Sequence, residues 1–265
     1  MKLKVCVAGA TGWVGKPLCS AIFRAEDLEL VGAVSRTHSG SSLKDVFPDL
    51  EIEGTIKGSV AETLQTETDV MVDYTGADVV KGNVLTAVRK GVNVVIGSSG
   101  LTDEDFDQIN AIAIEHKVGV IAAGNFAITA VLLQRFACEA AKYLSQWEIV
   151  DYASDSKTDA PSGTARELAF RMAEIRTPVP THPIEGTIGE KGSRGVTLNG
   201  TQIHSIRLPG YVIGVEAIFG ASDERLSIRH DAGSGAGPYI AGTLLAIRKV
   251  TGVTGLVRGL DRIME

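Results

Sequence analysis

The 265-residue chain is 44% hydrophobic, 22% charged and 5% aromatic, enough for one large domain or two modest ones with a real core. Its 32 acidic residues against 26 basic ones leave a net charge of −6, which argues against the basic surface of a general nucleic-acid binder. The thirty glycines follow no repeat, and the uncharged run 118–134 carries glycine, asparagine and threonine, unlike a membrane span.

Short β-branched runs at 3–8, 30–34, 70–73, 92–96 and 118–122 predict five strands, and helical patterns fall between several of them, at 15–25, 58–65, 78–90 and 103–116. Continuously apolar strands alternating with helices predict a doubly wound, parallel α/β domain of the Rossmann type. Beyond Gly124 the order changes. A long helical run at 128–144 is followed by a strand at 147–153, a polar loop, a helix at 164–172 and strand-like pieces at 196–198, 202–207, 212–219 and 225–230. That succession predicts a smaller α+β unit with a mixed or antiparallel sheet, and a boundary near residue 127. A last helix is expected at 237–250, with basic residues at its end as the helix dipole favours.

Cys6, Cys19 and Cys138 lie in apolar segments without a C-x-x-C pair, so buried thiols of a reducing compartment are expected rather than disulfides. The first residues run straight into a strand pattern with no secretory signal, which makes the cytoplasm the expected location. His38, His116, His182, His204 and His230 show no ligand spacing, so no metal is expected. There is no G-x-S-x-G elbow to suggest a hydrolase.

Two segments carry chemistry. Gly9, Gly12 and Gly15 sit between the first strand and the first helix, where glycines allow a tight turn and let backbone amides approach a pyrophosphate. The same spacing would serve an ordinary strand-to-helix turn. Its place in a βαβ pattern favours a dinucleotide, with Gly9, Thr11, Gly12, Trp13, Val14 and Gly15 as the expected contacts. At the end of the second strand, where NAD-preferring domains carry an acidic residue, the chain reads Ser35-Arg36-Thr37-His38. An arginine among hydroxyls suits a 2′-phosphate, so Ser35 and Arg36 predict NADPH as the preferred cofactor, with NADH possible. No tyrosine has a lysine four residues on, which removes the short-chain dehydrogenases.

The second segment is SKTDAPSGTARELA, 156–169. A helix beginning near Gly163 or Thr164 would offer free amides to an anion such as a carboxylate. Lys157 adds a positive charge or a proton, and Asp159 and Ser162 are expected to fix or cap the turn. An ordinary capped helix with a surface lysine would read the same way.

Together with these, Asp73-Tyr74-Thr75-Gly76, Ile96-Gly97-Ser98-Ser99-Gly100-Leu101, Ala123-Gly124-Asn125-Phe126, KTDAPSGTA from Lys157, Arg194-Gly195, IHSIRLPGYV, EAIFG and LSIRHDA run through the chain. Over nearly its full length the sequence resembles the 4-hydroxy-tetrahydrodipicolinate (formerly dihydrodipicolinate) reductases of lysine and diaminopimelate biosynthesis. The resemblance implies hydride transfer from NAD(P)H to a cyclic α-imino dicarboxylate. It implies nicotinamide contacts at Thr75, Gly76, Gly97, Ser98, Ser99, Gly124, Asn125 and Phe126. It places the substrate carboxylates on Lys157, Gly163 and Thr164, with Lys157 catalytic. It also implies a homotetramer joined through the second domain's sheet, and a last helix returning to the cofactor domain: 1–127 with 238–265, and 128–237. The expected partner is a small molecule, with no nucleic acid or membrane.

The chain departs from the family motif Glu-[Ile/Val]-x-Glu-x-His-His-x-x-Lys-x-Asp, reading Glu148-Ile149-Val150-Asp151-Tyr152-Ala153-Ser154-Asp155-Ser156-Lys157-Thr158-Asp159. Ala153 and Ser154 stand where the family has its two histidines. Alanine cannot donate a proton and serine offers one neutral hydrogen bond, so Ser154 is the expected remnant of the substrate grip. His204 is the spare histidine that could stand in. Alternatives left open are a divergent paralogue acting as imine reductase or amine dehydrogenase on another substrate, and a non-catalytic NADPH-binding sensor.

Overall fold

A computed structural model describes residues 2–264. The elements in chain order are β1 (Leu3–Ala8), α1 (Gly15–Arg24), β2 (Leu28–Val34), α2 (Leu43–Val46), α3 (Val60–Thr63), β3 (Val70–Asp73), α4 (Val80–Arg89), β4 (Asn93–Ile96), α5 (Asp103–His116) and β5 (Gly119–Ala122). They continue with α6 (Ile128–Ala141), β6 (Gln146–Ala153), α7 (Gly163–Ile175), β7 (Val196–Leu198), β8 (Thr201–Arg207), β9 (Ile213–Ala221), β10 (Glu224–Ala232), α8 (Gly237–Val250) and β11 (Gly255–Arg258). Two compact units result: one of residues up to Ile128 together with those from Ala236 on, the other Thr129–Gly235.

The first unit holds a six-stranded, wholly parallel sheet in the order β11-β5-β4-β3-β1-β2. β3 and β5 are buried at every position, as strands covered on both faces must be. Cys6, Ala8, Met71, Val94, Ile96 and Val120 pack against apolar residues of α3, α4 and α5, including Val60, Val84, Val88 and Ile109. On the other face lie α1 and α8, the latter packed over β3, β4 and β5. After β1 the chain pairs outward to β2, then crosses to β3 on the other side, so the strand order reverses between β1 and β3. Ligands of open α/β sheets bind outside the carboxyl ends of the strands at such a reversal.

The second unit is a mixed five-stranded sheet, β10-β9-β6-β8-β7, in which only β6 and β8 are parallel. The β6–β8 connection runs through α7. Alternation along β6 puts Trp147, Ile149, Asp151 and Ala153 inside. Trp147 and Ile149 pack with Leu133 and Ala137 of α6 and Leu168 and Met172 of α7. The opposite face carries Glu148, Val150 and Tyr152.

Three departures from the sequence reading have physical causes. β11, which extends the first sheet beside β5, reads Gly-Leu-Val-Arg and opens on a glycine at φ +82°, so it lacks the continuous apolar run that marks the other short strands. The four-residue helix α2 was likewise not expected, and the helix expected at 58–65 shortens to α3. Of the three cysteines, Cys6 and Cys19 are buried as expected, whereas Cys138 is only half-buried. Burial pushes the Cys6 thiol up to about 12, so it is inert at neutral pH. Among the described residues no helix is long and apolar enough to cross a membrane.

α8 seats itself through a glycine: a Cβ on Gly242 would lie 2.1 Å from the Phe126 carbonyl oxygen. Gly242→Ala therefore forces helix and loop apart. Its expected cost is about 1–3 kcal/mol, read as a lowered urea midpoint with unchanged slope.

Candidate active site

At the reversal between β1 and β3 the backbone passes very close to itself. Gly9 has φ +83°, and a Cβ there would lie 2.3 Å from the Tyr74 carbonyl oxygen. Gly12 N–H donates to the Gly9 carbonyl at 3.0 Å, closing the turn. A Cβ on Gly15 would fall 2.0 Å from that same carbonyl oxygen, so Gly15 is the glycine that lets α1 approach β1. The start of α1 has no side-chain cap and no acidic residue in its first turn. An uncapped helix start is free to receive an anion.

A cleft of ≈ 440 Å³ opens beside this turn, lined by Gly9, Thr11, Gly12, Ser35, Arg36, Thr75 and Gly76. Thr11 and Ser35 share a hydroxyl–hydroxyl hydrogen bond of 2.8 Å. Arg36 is largely exposed and reaches Asp78 Oδ2 at 3.2 Å, which keeps its guanidinium at the cleft rim. The volume falls in the range of small-molecule sites, and the cleft combines glycine-loop backbone with a cation at its rim. Trp13 is exposed and meets Tyr239 edge-on at 5.6 Å, and Val14 is the residue before α1.

Asp73 organises the loops that follow β3 and β4. It is fully buried. Its Oδ1 accepts from Thr75 N at 3.0 Å, Thr75 Oγ1 at 2.6 Å and Ser98 Oγ at 2.6 Å, while Oδ2 accepts from Asn83 Nδ2 at 2.9 Å. Four donors compensate the burial of the charge and lock both loops to one carboxylate. Gly97 is needed because the Tyr74 ring lies where its Cβ would be, at 2.2 Å. Tyr74 itself donates to or accepts from Thr243 Oγ1 at 2.7 Å, and burial raises its pKa. Ser99 follows in the same loop without a regular element. At the end of the unit, Asn125 Oδ1 accepts from Ala127 N at 2.8 Å and Gly124 faces open space. Phe126 is buried against Tyr74, so its ring is part of the core.

In the second unit, Ser162 caps α7 by accepting from Ala165 N at 3.3 Å, and no acidic residue occupies the first turn. Gly163 has nothing within 4 Å of where a Cβ would stand, which leaves the helix start open to a ligand. Thr164 follows it, half-buried. Lys157 Nζ lies 2.6 Å from Asp159 Oδ1, and this contact lowers the pKa of Asp159. The lysine is therefore held in place by its neighbour rather than free. Ser154 Oγ is already engaged with Asp155 Oδ1 at 3.1 Å and Ser156 Oγ at 2.9 Å, and Ala153 is fully buried.

His204, the spare histidine, sits on β8. It alternates with Ser205, so it projects from the sheet face opposite Asp151, where its Nε2 meets Glu148 Oε2 at 2.7 Å. The residues not anticipated as site-forming are Asp73, Asn83, Asp151 and Arg207. Asp73 was legible as an Asx-turn, a carboxylate two residues before the amide it accepts from. Asn83 and Arg207 come from distant segments and had no local signature. Among the described residues no group of three or more His, Cys, Asp or Glu side chains is placed to hold a metal.

A parallel sheet with an open glycine cleft at its reversal point, joined to a second unit with an anion-ready helix start and a fixed lysine, defines a two-unit dinucleotide-dependent oxidoreductase. The model of the family described as "Dihydrodipicolinate reductase, N-terminus" matches residues 3–126, and that of "Dihydrodipicolinate reductase, C-terminus" matches 129–264. A 4-hydroxy-tetrahydrodipicolinate reductase of Desulfitobacterium hafniense is 40% identical over 269 residues, covering 100% of this chain and 99% of that one. The enzyme of that name from Moorella thermoacetica is 38% identical, covering 99% and 98%. A dipicolinate-bound dihydrodipicolinate reductase from Paenisporosarcina sp. TG-14 superposes with a TM-score of 0.89 at 31% identity, covering 100% of both chains. The chain belongs to the dihydrodipicolinate reductase family and is an NAD(P)H-dependent oxidoreductase.

Replacing Asp73 with alanine strands up to four donors. The expected loss is roughly 2–4 kcal/mol of stability, together with weaker NADPH binding. Thermal unfolding with and without NADPH checks both, since a smaller ligand-induced rise in Tm reports the second effect.

Proposed function

We propose that the protein reduces 4-hydroxy-tetrahydrodipicolinate to tetrahydrodipicolinate with NADPH, as the reductase step of lysine and diaminopimelate biosynthesis. The substrate takes up a hydride and a proton and loses its hydroxyl as water. When bound, the dinucleotide supplies the hydride. Gly9, Thr11, Gly12, Trp13 and Val14 would hold its pyrophosphate side, with Gly15 letting the helix approach. Ser35 and Arg36 would take the 2′-phosphate, and the loops of Thr75, Gly76, Gly97, Ser98, Ser99, Gly124, Asn125 and Phe126 its nicotinamide end.

The substrate half of the reading rests on one loop that carries both Lys157, fixed by Asp159, and the open helix start at Gly163 and Thr164. An ammonium and a helix start together suit a carboxylate. Lys157 is the group we assign to orienting the substrate and to supplying the proton. The names borne by full-length relatives at 38–40% identity support the same substrate. A homotetramer in the cytoplasm belongs to this reading, and the half-buried Val150, Ile206 and Ile218 leave the second unit's sheet face available for association.

A second reading is favoured by one observation. Neither Ala153 nor Ser154 offers a free basic or acidic group, because alanine has none and the serine hydroxyl is occupied. A divergent enzyme that reduces another cyclic imine, or forms an amine from a carbonyl and ammonia, fits that gap.

Oxidation of NADPH, followed by its absorbance with the imine generated in situ by its synthase, tests the first reading. Lys157→Ala is expected to lower kcat/KM by about 10²–10⁴-fold while NADPH binding is retained. NADPH binding without turnover by the unmodified protein would overturn the lysine-pathway substrate. Arg36→Ala is expected to reduce the preference for NADPH over NADH by about tenfold, read as the ratio of the two kcat/KM values. An unchanged ratio would refute the 2′-phosphate assignment.

A further inference from the structure

Arg207 closes β8, and three of its contacts go to the segment that carries the proposed anion site or to that segment's anchor. Its Nη2 donates to Asp151 Oδ2 at 2.7 Å and to the Asp159 carbonyl at 2.7 Å, and its Nη1 to the Asp151 carbonyl at 3.2 Å. A fourth contact, from Nη1 to its neighbour's Ile206 carbonyl at 3.0 Å, fixes the side chain against its own strand. Asp151 is fully buried, and its Oδ2 also accepts from Ser162 N at 2.8 Å and Ser205 Oγ at 3.3 Å. The ion pair therefore grips the loop at two points. At Asp159 the carbonyl is bound directly, while the same residue's carboxylate holds Lys157. At Ser162 the amide is bound through Asp151, one residue before the open helix start.

We propose that Arg207 is a positioning residue for the reaction: through Asp151 and Asp159 it sets the spacing between the Lys157 ammonium and the Gly163 and Thr164 amides. It need not touch the substrate. The planar guanidinium is suited to this because one fork can bind a carboxylate and three carbonyls in fixed directions, which an ammonium on a flexible stem cannot. The arginine also compensates the charge of Asp151, which would otherwise be buried without a cation. This inference rests on the reading of the Lys157–Thr164 turn as the carboxylate-binding part of the site.

The test compares Arg207→Lys and Arg207→Ala with the unmodified protein. Both variants are expected to raise KM for the imine and Kd for dipicolinate, used as a non-reacting dicarboxylate probe, by about tenfold or more. KM for NADPH should stay within about twofold, because the dinucleotide cleft lies in the other unit. Added guanidinium ion should partly restore dipicolinate binding to the alanine variant, whereas sodium chloride at equal ionic strength should not. Amide hydrogen exchange supplies a readout that needs no substrate. Residues 157–165 should lose protection in both variants while those of the first unit keep theirs. Unchanged exchange in 157–165, or unchanged dipicolinate affinity where the unmodified protein binds it, would overturn the proposal. If the unmodified protein neither turns over the imine nor binds dipicolinate, the substrate reading fails, and the exchange result alone decides the role of Arg207. Should the alanine variant not fold, the lysine variant, which keeps the charge, carries the comparison.

Discussion

Parallel strands can be paired only if the chain is carried back to the same edge before each new strand begins. In the first unit that requirement sends every strand-to-helix loop to one edge, and the reversal between β1 and β3 opens a gap among those loops. The gap is usable only because the backbone is allowed to crowd there. Gly9 passes over the Tyr74 carbonyl, and Gly15 brings α1 down onto Gly9, at distances no side chain could tolerate. The cleft, the free amides at the start of α1 and the rim arginine all follow from that close approach.

Loops at a sheet edge do not hold their own shape, and each unit solves this with a buried aspartate at a strand's carboxyl end. Asp73 at the end of β3 gathers neutral donors from two loops and a helix. Asp151, near the end of β6, is paired instead with Arg207, and a backbone amide completes its grip on the next helix. The two solutions differ in consequence. A carboxylate satisfied by hydroxyls and amides tolerates small movements, since each bond contributes modestly. A buried ion pair is all or nothing, because losing either partner leaves a charge in a poorly solvated place.

The Ala153 and Ser154 pair changes how the second unit can grip a substrate. Under the proposed function, with no histidine at either position, an anion would meet the Lys157 ammonium, itself shared with Asp159, and the dipole at the start of α7. On that reading geometry matters more than the number of cations, because one fixed ammonium and two amides would provide both orientation and attraction. That dependence on spacing is why the scaffold beneath the loop is functionally as informative as the loop itself.

Much was legible in the residues alone. The apolar β-branched runs specified the buried strands, because a strand covered on both faces admits little else. The three glycines and the Pro161–Gly163 turn marked the two helix starts, because special backbone geometry demands special residues. Ser35 and Arg36 could be assigned to the rim because they follow a strand at a fixed interval. What stayed hidden were relations across long sequence separations. β11 has only two apolar residues between a glycine and an arginine, and its identity as a strand comes from β5 beside it. His204 looked available until the alternation of β8 put it on the far face. Asn83 and Arg207 are ordinary surface-type residues in sequence, and only the packing of α4 against β3 and of β8 against β6 brings each to a buried carboxylate. Local chemistry is written in neighbouring residues, whereas the partner of a buried charge is chosen by which segments the fold makes adjacent. The sequence therefore determined the elements and their reactive groups, and the tertiary structure decided which of those groups are free and which are held.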